Sequence, residues 1–177
     1  MRKLIVTEFV TLDGVMEDPG NWSLGYWNDE IARFKGEEFA ACDAQLLGRV
    51  TYEGFAKAWP NSKDEGAAQF NNMPKYVVTR TLKTLDWNNS HVIDGDLGSA
   101  VKALKAQPGQ DIVVSGSGML VDALLNASLV DELRLLVYPL VLGQGKRLFA
   151  NGARGKLRLA VSRTFSNGVI ALVYAPL

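Results

Sequence analysis

Along the chain, short apolar runs alternate with stretches in which apolar residues recur every three or four positions. The runs are rich in Val, Ile, Leu and aromatics. They predict strands at Lys3–Phe9, Ala44–Gly48, Lys75–Thr79, Ser90–Ile93, Asp111–Ser115, Glu132–Val141, Leu157–Phe165 and Val169–Ala175. The helical spacing predicts helices at Asn28–Ala41, Arg49–Ala58, Leu97–Ala106 and Gly118–Ala127. In the first helix Ile31, Phe34, Phe39 and Ala40 follow that spacing, with Asn28 or Asp29 available as N-cap. Ser166-Asn167-Gly168 separates the last two strands and predicts a hairpin, because Asn-Gly tolerates the positive φ of tight turns. Strand–helix alternation through most of the chain, then a hairpin, predicts an α/β fold with a mainly parallel sheet and an antiparallel edge. The longest irregular stretch, Asp13–Trp27, is rich in Gly, Pro, Asn and Trp, and loops of that length are often functional.

Composition narrows the picture. A length of 177 residues suits one domain, 1–177, with a sizeable core. Nineteen basic and 19 acidic residues give a formal net charge of +0, hence no electrostatic reason to expect nucleic acid or a membrane surface as partner. No apolar run approaches the roughly 18 residues that cross a bilayer. The opening MRKLIVTEFVTLDG reads as a first strand rather than a signal peptide, and the expected location is cytoplasmic. The single cysteine, Cys42, rules out an internal disulfide and a Cys-based zinc site; it reads as a core thiol. The single histidine, His91, rules out His-rich metal chemistry. No metal is expected.

In parallel α/β sheets ligands sit at the carboxyl ends of the strands. Three such ends carry suggestive residues. At Leu47-Gly48-Arg49-Val50-Thr51, Gly48 lets backbone approach a ligand, a helix N-terminus follows, and Arg49 offers a planar fork for phosphate. Val78-Thr79-Arg80-Thr81 sets a guanidinium between two hydroxyls. At Ser115-Gly116-Ser117-Gly118 a strand hands over to a helix through small residues that leave room for a pyrophosphate. The dinucleotide fingerprint Gly-x-Gly-x-x-Gly is absent, since Val121 stands at its third position, and no Gly-Lys-Ser/Thr P-loop occurs. A Gly-rich strand–helix turn is also a purely structural device. Three phosphate-friendly ends, two with Arg, suit an extended ligand with several phosphates, of which NADPH is the natural candidate.

The chain resembles the dihydrofolate reductase fold and, more closely, the reductase domain at the C-terminus of the bacterial riboflavin deaminase-reductase. The segments that carry the resemblance are Thr11-Leu-Asp-Gly14, Leu47-Gly-Arg-Val-Thr-Tyr-Glu53, Val78-Thr-Arg80, Val114-Ser-Gly-Ser-Gly118, Leu129-Val-Asp-Glu-Leu-Arg134 and Tyr138-Pro-Leu-Val-Leu-Gly-Gln-Gly-Lys-Arg-Leu-Phe149. They run almost end to end. The resemblance implies a three-layer α-β-α sandwich and an NADPH-dependent reductase acting on CH–NH or C=N bonds, with a homodimer as its assembly. It implies Gly48, Arg49 and Thr51 at the cofactor, Thr79 and Arg80 at the adenosine 2′-phosphate, and Ser115, Gly116, Ser117, Gly118 and Met119 at the pyrophosphate. The riboflavin reductase carries a substrate segment rich in Asp, Pro and Arg between its second and third strands. Here that region reads AWPNSKDEGAAQFNNMP (58–74) and has no counterpart to it.

On the substrate side, Trp22, Tyr26, Trp27 and Phe34 are candidate walls for a flat ring; the alternatives are core packing for Phe34 and a loop pin for Trp22. Aligned with the first helix of dihydrofolate reductases, Glu30 takes the position of the substrate carboxylate and Phe34 that of the aromatic. A carboxyl in an apolar pocket has its pKa raised and relays a proton; an acid in the first turn of a helix also suits the helix dipole alone. Asp13 is a second carboxylate within reach of ligand, or the cap of a turn before Gly14. Lys146 and Arg147 read either as an anion site or as a solvated turn. The leading function is reduction of a pterin-like or ribosylaminopyrimidine-like heterocycle. The alternatives are a nucleotide-binding module without chemistry and a dihydrofolate reductase proper.

Overall fold

The computed structural model describes residues 1–64, 66–149, 152 and 154–177. Eight strands form one sheet: β1 (Leu4–Thr11), β2 (Cys42–Gly48), β3 (Lys75–Val78), β4 (Ser90–Ile93), β5 (Asp111–Val114), β6 (Glu132–Tyr138), β7 (Leu157–Thr164) and β8 (Ile170–Pro176). Their order across the sheet is β4-β3-β2-β5-β1-β6-β8-β7. The first six in that row are mutually parallel; β8 runs antiparallel to β6, and β7 antiparallel to β8. The helices are α1 (Asp29–Ala40), α2 (Arg49–Ala58), α3 (Ala67–Asn72), α4 (Leu97–Ala106) and α5 (Gly118–Asn126). None of them is long and apolar enough to cross a membrane.

Central strands are buried on both faces, which is why β1 reads as a nearly unbroken apolar run. Leu4, Val6 and Val10 pack with Val101 and Leu104 of α4 and with Leu120, Val121 and Leu124 of α5. The opposite face carries α1, which buries Ile31 against Leu136 and Tyr138, and α2, which buries Tyr52 against Leu47 and Val77. Two helical layers thus enclose the sheet, as expected for a three-layer α/β sandwich.

Several boundaries differ from expectation for local reasons. β6 stops at Tyr138 instead of Val141, because Pro139 has no N–H to continue a ladder. α3 is an unpredicted six-residue helix, too short to show a period, held by buried Ala67 and Phe70. The long 13–27 stretch folds into two single helical turns, Pro19–Asn21 and Leu24–Tyr26. In the predicted hairpin only Gly168 adopts positive φ, at 85°. Asn167 contributes through its side chain, whose Oδ1 accepts from Val169 N at 3.1 Å.

Candidate functional site

β2 and β5 lie side by side, with Leu46 opposite Val114. Each leads directly into a helix, α2 after Gly48 and α5 after Ser117. The two helix N-termini are therefore neighbours at the carboxyl end of the sheet. Neither receives a side-chain cap. By contrast, Asn28 Oδ1 accepts from Ile31 N at 3.0 Å to cap α1, and Asp96 accepts from Ser99 N at 2.7 Å to cap α4. Uncapped first-turn amides at a helix N-terminus favour an anion.

The glycines are required by close packing. Gly48 N donates to Gly116 O at 3.2 Å. A Cβ on Gly48 would run into Ser117 Oγ and stand 3.0 Å from Ser117 N. Gly116 has φ of 81°, in the left-handed region that glycine favours. A Cβ there would lie 2.9 Å from Thr51 Oγ1, 3.6 Å from Glu8 Oε1 and 3.8 Å from Met16 Cε. Those distances place Thr51 of α2, Glu8 of β1 and Met16 of the following loop around one turn. The sulfur of Met16 also reaches to 3.0 Å from where a Gly118 Cβ would be. Met16 is held there by backbone pairing: Met16 N donates to Lys146 O at 2.9 Å, and Leu148 N to Gly14 O at 3.0 Å.

Glu8 is the unusual member of this group. It is 7% exposed, and its Oε1 has no hydrogen-bond partner among the described residues. Burial pushes its carboxyl up to about 8; the Lys35 ammonium and the Gly116 amide pull the other way without offsetting burial. Lys35 is itself engaged by Glu38 and by Thr7 Oγ1, the latter at 2.7 Å. At neutral pH Glu8 is therefore mostly a neutral acid.

The remaining cofactor candidates fall at the same end of the sheet. Gly48 pairs with Val78 in register, so Arg49 and Thr79–Arg80 follow adjacent strand ends. Arg49 forms an exposed i, i+4 ion pair with Glu53 at 2.9 Å. Arg80 is exposed. Thr79 is buried, and its Oγ1 accepts from Thr81 N and Leu82 N at 3.2 and 3.1 Å, so this hydroxyl shapes its own turn. Met119, in the first turn of α5, is largely exposed.

The substrate-side candidates are engaged by other parts of the chain. Trp22 and Tyr26 pack edge-on against Tyr138, with centroids 5.3 and 5.7 Å away, and Phe34 packs edge-on against Phe165 at 5.7 Å. Trp22 Nε1 also donates to Glu17 O at 2.9 Å, pinning the loop. These contacts match the packing alternatives. Glu30 accepts from Ser166 N at 2.8 Å and from the Ser166 hydroxyl, joining α1 to the β7–β8 hairpin. Those hydrogen bonds hold its carboxyl below the usual range, the reverse of the raised pKa expected of it. Asp13 accepts from Thr11 Oγ1 at 2.6 Å, Gly143 N at 2.9 Å and Leu142 N at 3.2 Å, and is pulled down to about 2, with the Thr11 hydrogen bond the largest cause. Arg147 pairs with Asp13, and Lys146 with Glu17 at 3.0 Å, so both cations staple the 13–17 loop. Trp59 and Phe70, from the segment between α2 and β3, join an aromatic cluster with their ring centroids 4.2 Å apart. A cavity of about 810 Å³ opens nearby, between α2 and residues 82–88, and the glycine turns are not part of its lining.

Glu8 and Met16 are absent from the sequence reading. A signal for Glu8 exists: it interrupts the row Leu4, Val6, Val10 on a strand buried on both faces. A charge at such a position is either paired or functional.

Comparison with known proteins agrees with this architecture. The family model described as RibD C-terminal domain matches residues 2–171. The uncharacterized protein YyaP of Bacillus subtilis (strain 168) is 32% identical over 98% of this chain and 94% of its own. A pyrimidine reductase-like protein from Corynebacterium diphtheriae superposes with a TM-score of 0.69, at 14% identity, over 99% of this chain and 92% of that one. A diaminohydroxyphosphoribosylaminopyrimidine deaminase/5-amino-6-(5-phosphoribosylamino)uracil reductase from Thermotoga maritima superposes with a TM-score of 0.71, at 16% identity, over 99% of this chain and 57% of that one.

Proposed function

The chain belongs to the RibD C-terminal domain family, and from that premise we propose that it is an NADPH-dependent reductase of a small heterocycle, pterin-like or ribosylaminopyrimidine-like. Family membership and a dihydrofolate reductase-like fold support the reductase class. The observation that carries the reading is the pair of adjacent, uncapped helix N-termini at α2 and α5, joined across the Gly48–Gly116 hydrogen bond.

The residues present fit such a dinucleotide. Gly48, Gly116 and Gly118 keep the turns free of side chains of their own; Gly118 is approached by the flexible Met16 thioether, and Gly116 by Thr51 Oγ1, Glu8 Oε1 and Met16 Cε. In this reading Ser115, Gly116 and Ser117 of the turn, with the first-turn amides of α5 at Gly118 and Met119, hold the pyrophosphate. Arg49 and Arg80 bind the 2′-phosphate, Arg49 exchanging Glu53 for the ligand. Thr51 lines the turn beside Gly116. When bound, the reduced nicotinamide supplies the hydride. The chain's part is to hold donor and acceptor in line, exclude water and control protons near the reacting atoms. A homodimer belongs to the proposal; the edge strand β7 supports it, with Leu159 and Val161 48% and 50% exposed.

The engagement of Glu30 by Ser166 favours one second reading, a nucleotide-binding module without turnover. Tryptophan fluorescence titrated with NADPH and NADH tests binding; loss of NADPH absorbance with pterin, pyrimidine and quinone acceptors tests turnover. Binding with turnover supports the reductase. Binding without turnover on every acceptor supports the module, and an absence of binding overturns both.

A further inference from the structure

We propose that Glu8 is a proton-linked determinant of cofactor binding: the dinucleotide binds the form of the protein in which Glu8 is a neutral carboxyl, and ionised Glu8 excludes it. The inference rests on the reading of the glycine turns as the cofactor site.

Three observations converge on it. Glu8 lies under the 115–118 turn, its Oε1 3.6 Å from the point a Gly116 Cβ would occupy. Thr51 and Met16 border that same point, so Glu8 packs directly against the glycine turn and not in a remote core. Its side chain is more than nine-tenths buried and Oε1 is unpartnered, although buried polar atoms are ordinarily satisfied.

The groups packed around Glu8 explain why its charge matters. Among the described residues Lys35, from α1, is the one cation acting on it, and Lys35 already serves Glu38 and Thr7. From α2 comes Thr51, from the loop after β1 Met16, and from the turn after β5 the Gly116 amide; none of these is ionisable. A carboxylate here would face the phosphates of a dinucleotide in a water-poor crevice with no counter-ion to spare. The neutral acid instead presents an O–H donor. Burial already raises the carboxyl to about 8, which keeps it protonated at neutral pH and leaves it ionisable just above.

Linkage gives the sign. A ligand that binds only the protonated form keeps constant affinity below the free protein's pKa and loses about tenfold per pH unit above it. Between pH 7 and 9.5 the expected loss is roughly thirtyfold. The ligand's own phosphate monoester titrates near about 6 and stays fully charged over that window. Lys75 also titrates near 8, but it stacks on Trp87 and bonds the carbonyls of Asn71 and Asn88, outside the crevice. Its contribution is common to wild type and variant.

The experiment measures the NADPH dissociation constant by energy transfer from tryptophan at pH 7, 8, 9 and 9.5, for wild type and Glu8→Gln. Calorimetry at pH 9 in two buffers of different ionisation enthalpy counts protons taken up by wild type. The expected result is a wild-type constant that rises about thirtyfold, a Glu8→Gln constant that stays flat, and uptake approaching one proton. Equal pH dependence in the two proteins, or no proton uptake by wild type, overturns the role of Glu8 while leaving the cofactor site intact. Should Glu8→Gln fail to fold, the proton count on wild type decides alone. No NADPH binding by wild type at any pH overturns the cofactor reading itself, a distinct outcome.

Discussion

The sulfur of Met16 stands 3.0 Å from the point where Gly118 would carry a Cβ, so Met16 lies across the mouth of the turn that begins α5. A ligand on the first-turn amides must displace it. Met16→Ala removes that competitor, and NADPH affinity is expected to rise several-fold. Fluorescence titration checks this; unchanged affinity would mean that Met16 moves aside at no cost or that nothing binds behind it.

Arg80 is the exposed cation closest in sequence to the end of β3. Arg80→Ala should weaken NADPH by roughly tenfold or more, the loss of a charge-assisted hydrogen bond of about 1.5–3 kcal/mol, and should leave NADH almost unaffected. A comparable loss for both dinucleotides rules out a 2′-phosphate role.

Gly116→Val tests the turn itself. At φ of 81° a β-branched residue is strained, and its Cβ would stand only 2.9 Å from Thr51 Oγ1. The expected cost is about 1–3 kcal/mol, with NADPH binding abolished in the protein that still folds. Thermal unfolding and titration read the two effects separately. Full affinity in a folded variant would remove this turn from the site.

Glu30 serves as a clasp to Ser166. Its carboxyl is depressed in the fold, so its contribution to stability is present above the unfolded pKa near 4.5 and is lost as pH falls through the lower folded value. Glu30→Gln should flatten that acid limb in a melting-temperature profile and leave NADPH affinity unchanged at neutral pH. A marked loss of turnover with binding intact would return Glu30 to the chemistry.

Lys75 is fully buried, and burial lowers its ammonium to about 8. Between that value and the unfolded 10.5 the unfolded chain binds more protons, so stability from this residue rises with pH across the window. Lys75→Met should erase that alkaline rise. It should also destabilise the protein by about 1–3 kcal/mol, because the part-buried carbonyls of Asn71 and Asn88 lose their donor. Melting curves from pH 7 to 10 provide the check; a variant that keeps the alkaline rise would assign it to another group.

The elements were legible wherever a short stretch of chain carries its own signal. Apolar periodicity located α2, α4 and β4 to the residue, and the small residues at Gly48 and Ser115–Gly118 marked the strand ends where two helices open. α3 escaped because six residues hold less than two turns, and its burial depends on Phe70 meeting Trp59, Phe55 and Trp87.

What the amino-acid order determined by itself is the alternation of strands and helices, the antiparallel closing hairpin and the glycines that leave helix ends bare, since each follows from spacing and backbone chemistry within a few residues. Tertiary structure alone decided which acid lies against the glycine turn. Glu30 has helix-start surroundings that suit a catalytic carboxyl, yet Ser166 from the far end of the chain claims it. Glu8 looks like an interruption in a strand until β5 brings Gly116, α2 brings Thr51 and the 13–17 loop brings Met16 to its side. A carboxyl's role is set by its dielectric and its partners, and those come from segments distant in sequence.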